Sequence, residues 1–566
     1  IMSRSNPIFD KQPIEVQKRN TFDMSHEVLG SGRVGTLYPV LVEKVQPNDS
    51  ISLGQRMHIQ LPPMATNWYG RCDVKLEAFF VPNRILMGKA WEDYFLFNNG
   101  LSTQYQPSGI VKRFLPIGQF SSSDFAPGSL LNWIYGGEKL PLGESMYVNP
   151  LPLLAYHKIY DEFYRCPNYT SPLFARGMAT TYNTNPGYAP YQHFGSQVTW
   201  NNSDSFINGD SIVSLHQRAY GKDYFTNAYL NQNGGATQMQ VAVAPFVTPA
   251  NDGSLQYLVQ EVQSGSNDVN LQRSGSGTTT PVTQIGTFSI QQLRSANALQ
   301  QFAERNSMAG GRYADTLVAN YGTKPASAVI DRPVFLGANT IGVYGNSVYQ
   351  NGGSTTSTNP FKDSVASKAG DRCGAGKDSL IDNFHIEEHG YIIVMCSLVP
   401  HAYYSGLISH ETAHLNATGL SEVGFTDLFP VPSLAGIGNQ PIYLSEVNGD
   451  TDTSGSTKYA WCERYSDFKF RNDEVKGLLV DNASLSPFAL KRSFTGSQTP
   501  SSVAYIRTTD MDDVTAVQSA LSNYGYMFDL DFQEIMTRAL PAYSIPTLGE
   551  PKNTKTIVID KGGSRL

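Results

Sequence analysis

The feature that most constrains this chain is a two-residue alternation of character. Ile51, Leu53, Met57, Ile59 and Leu61 are apolar, while Ser52, Gly54, Arg56, His58 and Gln60 between them are small or polar. Successive side chains of a strand point to opposite faces, so this stretch needs one buried face and one wet face. The same period recurs at Val74, Leu76 and Ala78 around Lys75 and Glu77, running into Phe79-Phe80-Val81 before Pro82. It returns at Phe528, Leu530 and Phe532 around Asp529 and Asp531. Leu37 to Val45 reads as a further strand, closed by the turn-forming Gln46-Pro47-Asn48-Asp49. Tyr391 to Val399 is apolar throughout, which suits a strand covered on both faces. Strands therefore occupy both ends of the chain, with different material between them.

Composition agrees with a mainly β fold. Charged residues are 16% of the chain, against ~25% in average globular domains, and 50 Gly with 32 Pro supply turns. A helical bundle would need Ala, Glu, Lys and Leu in quantity. The 566 residues would suit roughly three or four domains by length alone, but the pattern reads as one β framework interrupted by long insertions.

Those insertions divide as follows. Residues 85–230 mix helix and loop, with Ala155, Ile159 and Phe163 giving an amphipathic stretch after Pro152. Residues 231–284 read as a surface loop, since they hold only Asp252, Glu261, Asp268 and Arg273 as charges among many Gln, Asn, Gly, Ser and Thr. Residues 285–345 are helical, opened by Ser289 and Gln292 as a capping box. Residues 345–380 are a Gly/Ser-rich loop around GGSTTSTNP. Residues 511–522 are a weaker helix candidate.

Five cysteines, Cys72, Cys166, Cys373, Cys396 and Cys462, are odd in number and widely spaced. That argues against a disulfide framework and a zinc ribbon, and for buried free thiols in a reducing compartment. No apolar run is long enough to span a bilayer and no signal-like segment opens the chain. The expectation is a soluble protein made in a cytoplasm, with no membrane insertion.

The sharpest chemical motif is His410-Glu411-Thr412-Ala413-His414. On a helix, H-E-x-x-H sets two imidazoles on one face for Zn²⁺ with the Glu as general base. The wider context is poor: position 420, where a third His would extend the motif, is Leu, and Glu446 has no surrounding motif. A zinc metallohydrolase with His410 and His414 as ligands and Glu411 as base is kept only as the alternative. His385, His389, His401, His410 and His414 are five of the ten histidines, close enough in sequence to form a metal or pH-sensitive site. Gly374-Ala375-Gly376-Lys377-Asp378 fails as a phosphate loop, because Asp371 stands where the first Gly belongs and Asp378 follows the Lys. No cofactor is expected and no enzyme is argued for.

The net charge of −7 excludes coating nucleic acid through overall charge. The ends depart from that average. Arg4, Lys11, Lys18 and Arg19 outweigh Asp10 and Glu15, and Lys552, Lys555, Lys561 and Arg565 outweigh Asp560. Many copies facing one enclosed volume would sum these patches into a basic lining for nucleic acid.

Several blocks, collinear from end to end, resemble one family. They are Phe22-Asp23-Met24-Ser25-His26-Glu27, FFVPNR (79–84), AYHKIYDEFYR (155–165), KDYFT (222–226), LQQFAERNSMAGGRYADTLVANYG (299–322), RPVFLG (332–337), HGYIIVMCSLVP (389–400), AGIGNQPIY (435–443), ERYSDFKF (463–470) and RALPAYSIPTLG (538–549). The family is the major capsid proteins of microviruses, small single-stranded DNA bacteriophages, in the gokushovirus-like branch. The resemblance implies an eight-stranded antiparallel jelly-roll β-sandwich with large loop and helical insertions. It implies a homo-oligomer forming a T=1 icosahedral shell in the virion, a circular ssDNA genome inside, and synthesis in a bacterial host. Minor or pilot proteins, small DNA-binding virion proteins and a host cell-surface receptor are the implied partners. By its location, tract 231–284 matches the family's protruding host-attachment loop, with Gln232, Asp252, Tyr257, Glu261, Asp268 and Arg273 as its candidate contacts. The sequence departs from the family after VPNR, where Ile85-Leu86-Met87 stand and Trp91 takes the expected aromatic's part.

Overall fold

The computed structural model describes residues 11–17, 19–60, 69–87, 91, 116–136, 143–166, 170–174, 199–200, 206, 210–229, 257–260, 270–273, 294, 301, 332–349, 368–405, 407–413, 430–434, 439–447, 457–480, 489, 491–492, 526–540 and 554–560. Eleven of its strands carry the argument: β1 (Lys11–Gln17), β2 (Asn20–Asp23), β3 (His26–Gly32), β4 (Tyr38–Val45), β5 (Ser50–Gln60), β6 (Cys72–Pro82), β7 (Val334–Tyr349), β8 (Lys368–His385), β9 (Gly390–Pro400), β10 (Tyr526–Arg538) and β11 (Thr554–Asp560).

Nine of these form one antiparallel hydrogen-bonded path. Its first arm runs β3–β10–β5–β8, with β2 continuing the pairing along β10. Its second arm runs β7–β6–β9–β4. The arms meet where the far half of β7, Tyr344–Tyr349, turns from β6 to pair with Lys368–Cys373 of β8. The path folds back on itself there. Ile51, Leu53, Met57, Ile59, Phe528, Leu530 and Phe532 of the first arm share one buried cluster with Val74, Leu76, Ala78, Phe80, Val394 and Leu398 of the second. Each arm supplies the apolar face that covers the other, which is an antiparallel β-sandwich.

Gly337 of β7 lies against the backbone of Leu380 in β8. A Cβ there would sit 2.1 Å from the carbonyl oxygen of Leu380, so only glycine lets the two backbones approach.

The second arm is also covered from outside. Tyr391, Ile393, Met395, Phe79 and Val81 pack into a second cluster with the helix α1 (Leu151–Ile159). Every residue of β9 is buried as a result, which is why its sequence is apolar without a period. Pro152 sits in the first turn of α1, where a missing N–H costs nothing, and Asn149 Oδ1 accepts from Leu151 N at 3.1 Å. The stripe continues through a π-helical turn, Tyr160–Tyr164.

The outer face of β6 divides in two. Phe79 and Val81 lie under the helical layer, while Asp73, Lys75 and Glu77 are only partly buried. Arg218 marks the border. It meets Glu77 at 2.5 Å and donates to Ser397 Oγ at 3.2 Å, and Tyr164 OH also reaches Glu77 at 2.5 Å.

Two expectations are corrected. Residues 334–345, placed in a helical insertion, belong to β7, and both ends of the 345–380 loop are strand. Their Gly, Ser and Asp content gives no local β signal; pairing with β6 and β5 holds them extended. The Ser289 helix and residues 511–522 lie outside the described residues, apart from single helical positions at 294 and 301. The alternating stretches at 51–60, 74–81 and 528–532 are strands as read. Cys72, Cys396 and Cys462 are buried and in no disulfide, and Cys166 is half-buried. Among the described residues no helix is long and apolar enough to cross a membrane.

Candidate nucleic-acid interface

The two chain ends, some 540 residues apart, meet in one antiparallel ribbon. β1 pairs with β11 from Lys11↔Asp560 to Gln17↔Thr554, with Val16 opposite Lys555. The ribbon itself is charge-balanced, Lys11 and Lys555 standing against Glu15 and Asp560, and the basic excess of each end belongs to the sequence flanking it. Residues 1–20 carry +2 and residues 551–566 carry +3, so the rest of the chain, −7 less +5, carries −12. Of the eight basic residues read as genome contacts, Lys11 and Lys555 lie on the ribbon. Arg19 lies where the ribbon joins the sandwich, its guanidinium donating to Ser50 Oγ. Arg4, Lys18, Lys552, Lys561 and Arg565 lie outside the described residues.

The residues read as a host-attachment loop are described only in part. Tyr257 and Arg273 face each other in register across a short hairpin, Tyr257–Gln260 with Asn270–Arg273. Gln232, Asp252, Glu261 and Asp268 lie outside the described residues.

The histidines do not gather. His385 and His389 stand at one end of β9 and His401 at the other, and the strand has 11 residues, which at ~3.3 Å each separates them by roughly 35 Å. His401 Nε2 contacts Asp73 Oδ2 at 2.8 Å. His385 Nδ1 lies 3.3 Å from Ser50 Oγ. Residues 410–413 are helical, and His410 Nδ1 lies 2.8 Å from Glu446 Oε1. Glu446 is itself buried, accepting from Tyr443 N at 2.9 Å and Tyr224 OH at 3.1 Å. That carboxylate anchors the small third core around Tyr224, Tyr404, Ile442 and Tyr459. His414 lies outside the described residues. Among the described residues, no three His, Cys, Asp or Glu side chains group to hold a metal ion. His410 reads as part of that core's polar anchoring, and nothing supports the metallohydrolase.

Two adjoining cavities open at the end of the second arm farthest from the β4–β5 turn. The larger, about 250 Å³, is walled by Asp73 and Lys75 of β6, the end of β9, Gly221–Asp223 and Arg471–Asp473. The smaller, about 120 Å³, shares Lys222 and Asp223 with it and is edged by Phe470. The strand Tyr403–Ser405 pairs in parallel with Asp473–Val475, setting Arg471 beside the end of β9. Asp223 is fully engaged, with Tyr404 OH at 2.6 Å and the N–H groups of Phe225 and Thr226 at 2.9 and 2.8 Å. None of these residues was read as a site from sequence. KDYFT and ERYSDFKF border the cavities, but four separated segments build the walls and no spacing announces them.

Comparison with known proteins gives a consistent result. The family profile described as capsid protein (F protein) matches residues 13–548. The capsid protein VP1 of Chlamydia phage 1 is 24% identical over 614 residues, covering 95% of this chain and 97% of that one. The capsid protein VP1 of Bdellovibrio phage phiMH2K is 23% identical over 498 residues, covering 84% and 86%. The capsid protein VP1 of Spiroplasma virus 4 is 22% identical over 584 residues, covering 94% and 95%.

Proposed function

Because this chain belongs to the capsid protein (F protein) family, that of the microvirus major capsid proteins, we propose that it assembles into a T=1 icosahedral shell around a circular single-stranded DNA genome. The family is structural and its members are virion components, so the work is done by interfaces and not by a catalytic pocket. The observation that carries the reading is the match of the family across 13–548. Strand order supports a jelly roll: numbering the eight sandwich strands β3 to β10 from one to eight gives 1-8-3-6 in one layer and 2-7-4-5 in the other. The connections between β6 and β7 and between β9 and β10 hold the long insertions, which would reach neighbouring subunits.

The β1–β11 ribbon is the proposed genome contact. It pairs the two ends whose sequences together carry +5, and each phosphate met by their Lys and Arg would add salt-dependent affinity. Tract 231–284 is the proposed attachment loop, and minor virion proteins and a host receptor are the partners this reading requires.

The test is the particle formed by purified protein in native buffer. Uniform closed shells holding nuclease-protected DNA are expected; a monomer or dimer under every assembly condition would overturn the reading. Deleting 236–282 should leave shells intact and reduce attachment to host cells. Failure to assemble would refute the loop's assignment.

A further inference from the structure

The inward face of β10 is apolar at Phe528, Leu530, Phe532 and Met536, and its period breaks once, at Glu534. Glu534 is 1% exposed, and its Oε1 has no hydrogen-bond partner among the described residues. The backbone of the same residue is fully engaged. β10 changes partner there, from His26 of β3 opposite Phe532 to Asp23 of β2 opposite Ile535. The turn between those strands closes on Glu534: its N–H donates to Ser25 Oγ at 3.1 Å, and Met24 N donates to its carbonyl oxygen at 2.9 Å. Asp23 Oδ1 accepts from Ser25 N at 3.0 Å and from Ser25 Oγ at 2.5 Å, which orients the hydroxyl to accept from Glu534.

The charged groups around the carboxyl give it no compensation. From β3, His26 Nδ1 lies 3.8 Å from Glu534 Oε2 but only 3.0 Å from Met24 O. A carbonyl can only accept, so the Nδ1 proton goes to Met24. From β4, Glu43 adds a like charge. Arg538 of β10 is spent on Glu43, on Asp49 of the β4–β5 turn at 3.4 Å and on the carbonyl of Lys44 at 3.0 Å. A carboxylate taken out of water needs donors or a counter-charge, so the closed turn accommodates this group in its protonated form. Burial, and then Glu43, raise its carboxyl from 4.5 to about 7, against the pull of Arg538.

We propose that Glu534 is a proton-controlled latch on the β2–β3 turn: its neutral carboxyl lets the turn close, and ionisation opens it. Opening takes the carboxylate to water. It breaks the two backbone bonds that Glu534 makes with Met24 and Ser25, and it parts His26 from Phe532, whose rings lie 5.6 Å apart. β1 ends at Gln17 and β2 begins at Asn20, so this turn also fixes where the terminal ribbon leaves the sandwich. Opening therefore frees the ribbon's attachment. The latch is a property of the folded subunit and does not depend on what a shell encloses.

The experiment is hydrogen–deuterium exchange of unassembled full-length protein between pH 5 and 8, read by mass spectrometry over residues 20–32 and corrected for intrinsic exchange. With the carboxyl at about 7 in the closed turn and 4.5 in the open one, linkage raises the opening constant about thirtyfold from pH 5 to 7 and levels it off by pH 8. Peptides covering 74–81 should show no such rise. Glu534→Gln, neutral at every pH, should keep 20–32 at one protection throughout. His26→Ala should retain the rise, which separates the carboxyl from the imidazole as its source. Glu43→Gln removes a like charge and releases Arg538, so it should shrink the rise, and it decides the matter if Glu534→Gln fails to fold. The latch is overturned by a wild-type opening constant that stays level from pH 5 to 7, or by a rise that persists in Glu534→Gln. A rise unchanged in Glu43→Gln or lost in His26→Ala would overturn it equally.

Discussion

Nδ1 of His157 lies 2.7 Å from Nε2 of His216, a hydrogen bond whose accepting ring must be neutral. His157 Nε2 is 2.7 Å from the carbonyl oxygen of Ile212 and must donate to it. Its Nδ1 is therefore the acceptor, and His216 supplies the N–H. The His216 ring stacks on Tyr160 at 3.8 Å, and Tyr156 OH donates to Leu37 O and accepts from His216 N. Through this pair the 210–218 segment ties the helical layer to the sandwich.

Acid should undo that tie. Burial pushes the His157 imidazole from 6.5 down to about 3, against the opposing pull of the Ile212 carbonyl. The folded protein keeps the ring neutral, so its contribution to stability is complete above pH 6.5 and is lost as pH falls toward 3. Thermal midpoints measured across that window should drop steeply for the wild type. His157→Gln should flatten the drop; an unchanged slope would refute the role of the pair.

Glu534 should act in the opposite direction. Burial, then the charge of Glu43, raise its carboxyl from 4.5 to about 7, while Arg538 pulls it back. A raised value favours the folded state below pH 4.5 and loses that advantage as pH rises through about 7. Oε1 of Glu534 also lacks a hydrogen-bond partner. Glu534→Gln should therefore raise the thermal midpoint at pH 8 and leave it nearly unchanged at pH 4, as differential scanning calorimetry would report.

Replacing Gly337 by Ala should be severe. Its Cβ would lie 2.1 Å from the Leu380 carbonyl oxygen, and backbone cannot swing aside as a side chain can. A loss of about 3 kcal/mol or more is expected, at the top of the usual overpacking range. At Gly54 the nearest atom to a new Cβ is 3.5 Å away, so Gly54→Ala serves as the near-neutral control in urea unfolding.

Arg218→Met should cost about 1–3 kcal/mol, because it leaves the partly buried Glu77 carboxylate without its charged partner. Burial alone would raise the Glu77 carboxyl, but the Arg218 hydrogen bond and charge, with Tyr164, hold it below its ordinary value. The variant should lose most stability near neutral pH and little in acid, where Glu77 is protonated. Equal losses at both would refute the assignment.

Much of the sandwich was legible from local pattern. Strands β5, β6 and β10 bury one face each, and that leaves a two-residue period in any sequence that satisfies it. Strand β9 is buried on both faces and reads as an unbroken apolar run. The far halves of β7 and β8 left no such trace, because Gly370, Asp371, Gly374 and Gly376 carry no β preference and are held extended by their neighbours. The five histidines looked like one group in sequence, but β9 sets His389 and His401 at its opposite ends.

The charged ends were visible in the sequence, while their meeting was not. Strands β1 and β11 came together through pairing across nearly the whole chain, and such a contact has no spacing to read. Lys75, Lys222 and Arg471 share one cavity wall with Asp73, Asp223 and Asp473 only once separate segments converge. By itself the sequence determined which faces must be buried, because burial imposes a period on neighbouring residues. Tertiary structure decided which distant residues share a surface, because strand pairing and layer packing join segments whose separation leaves no mark on either one.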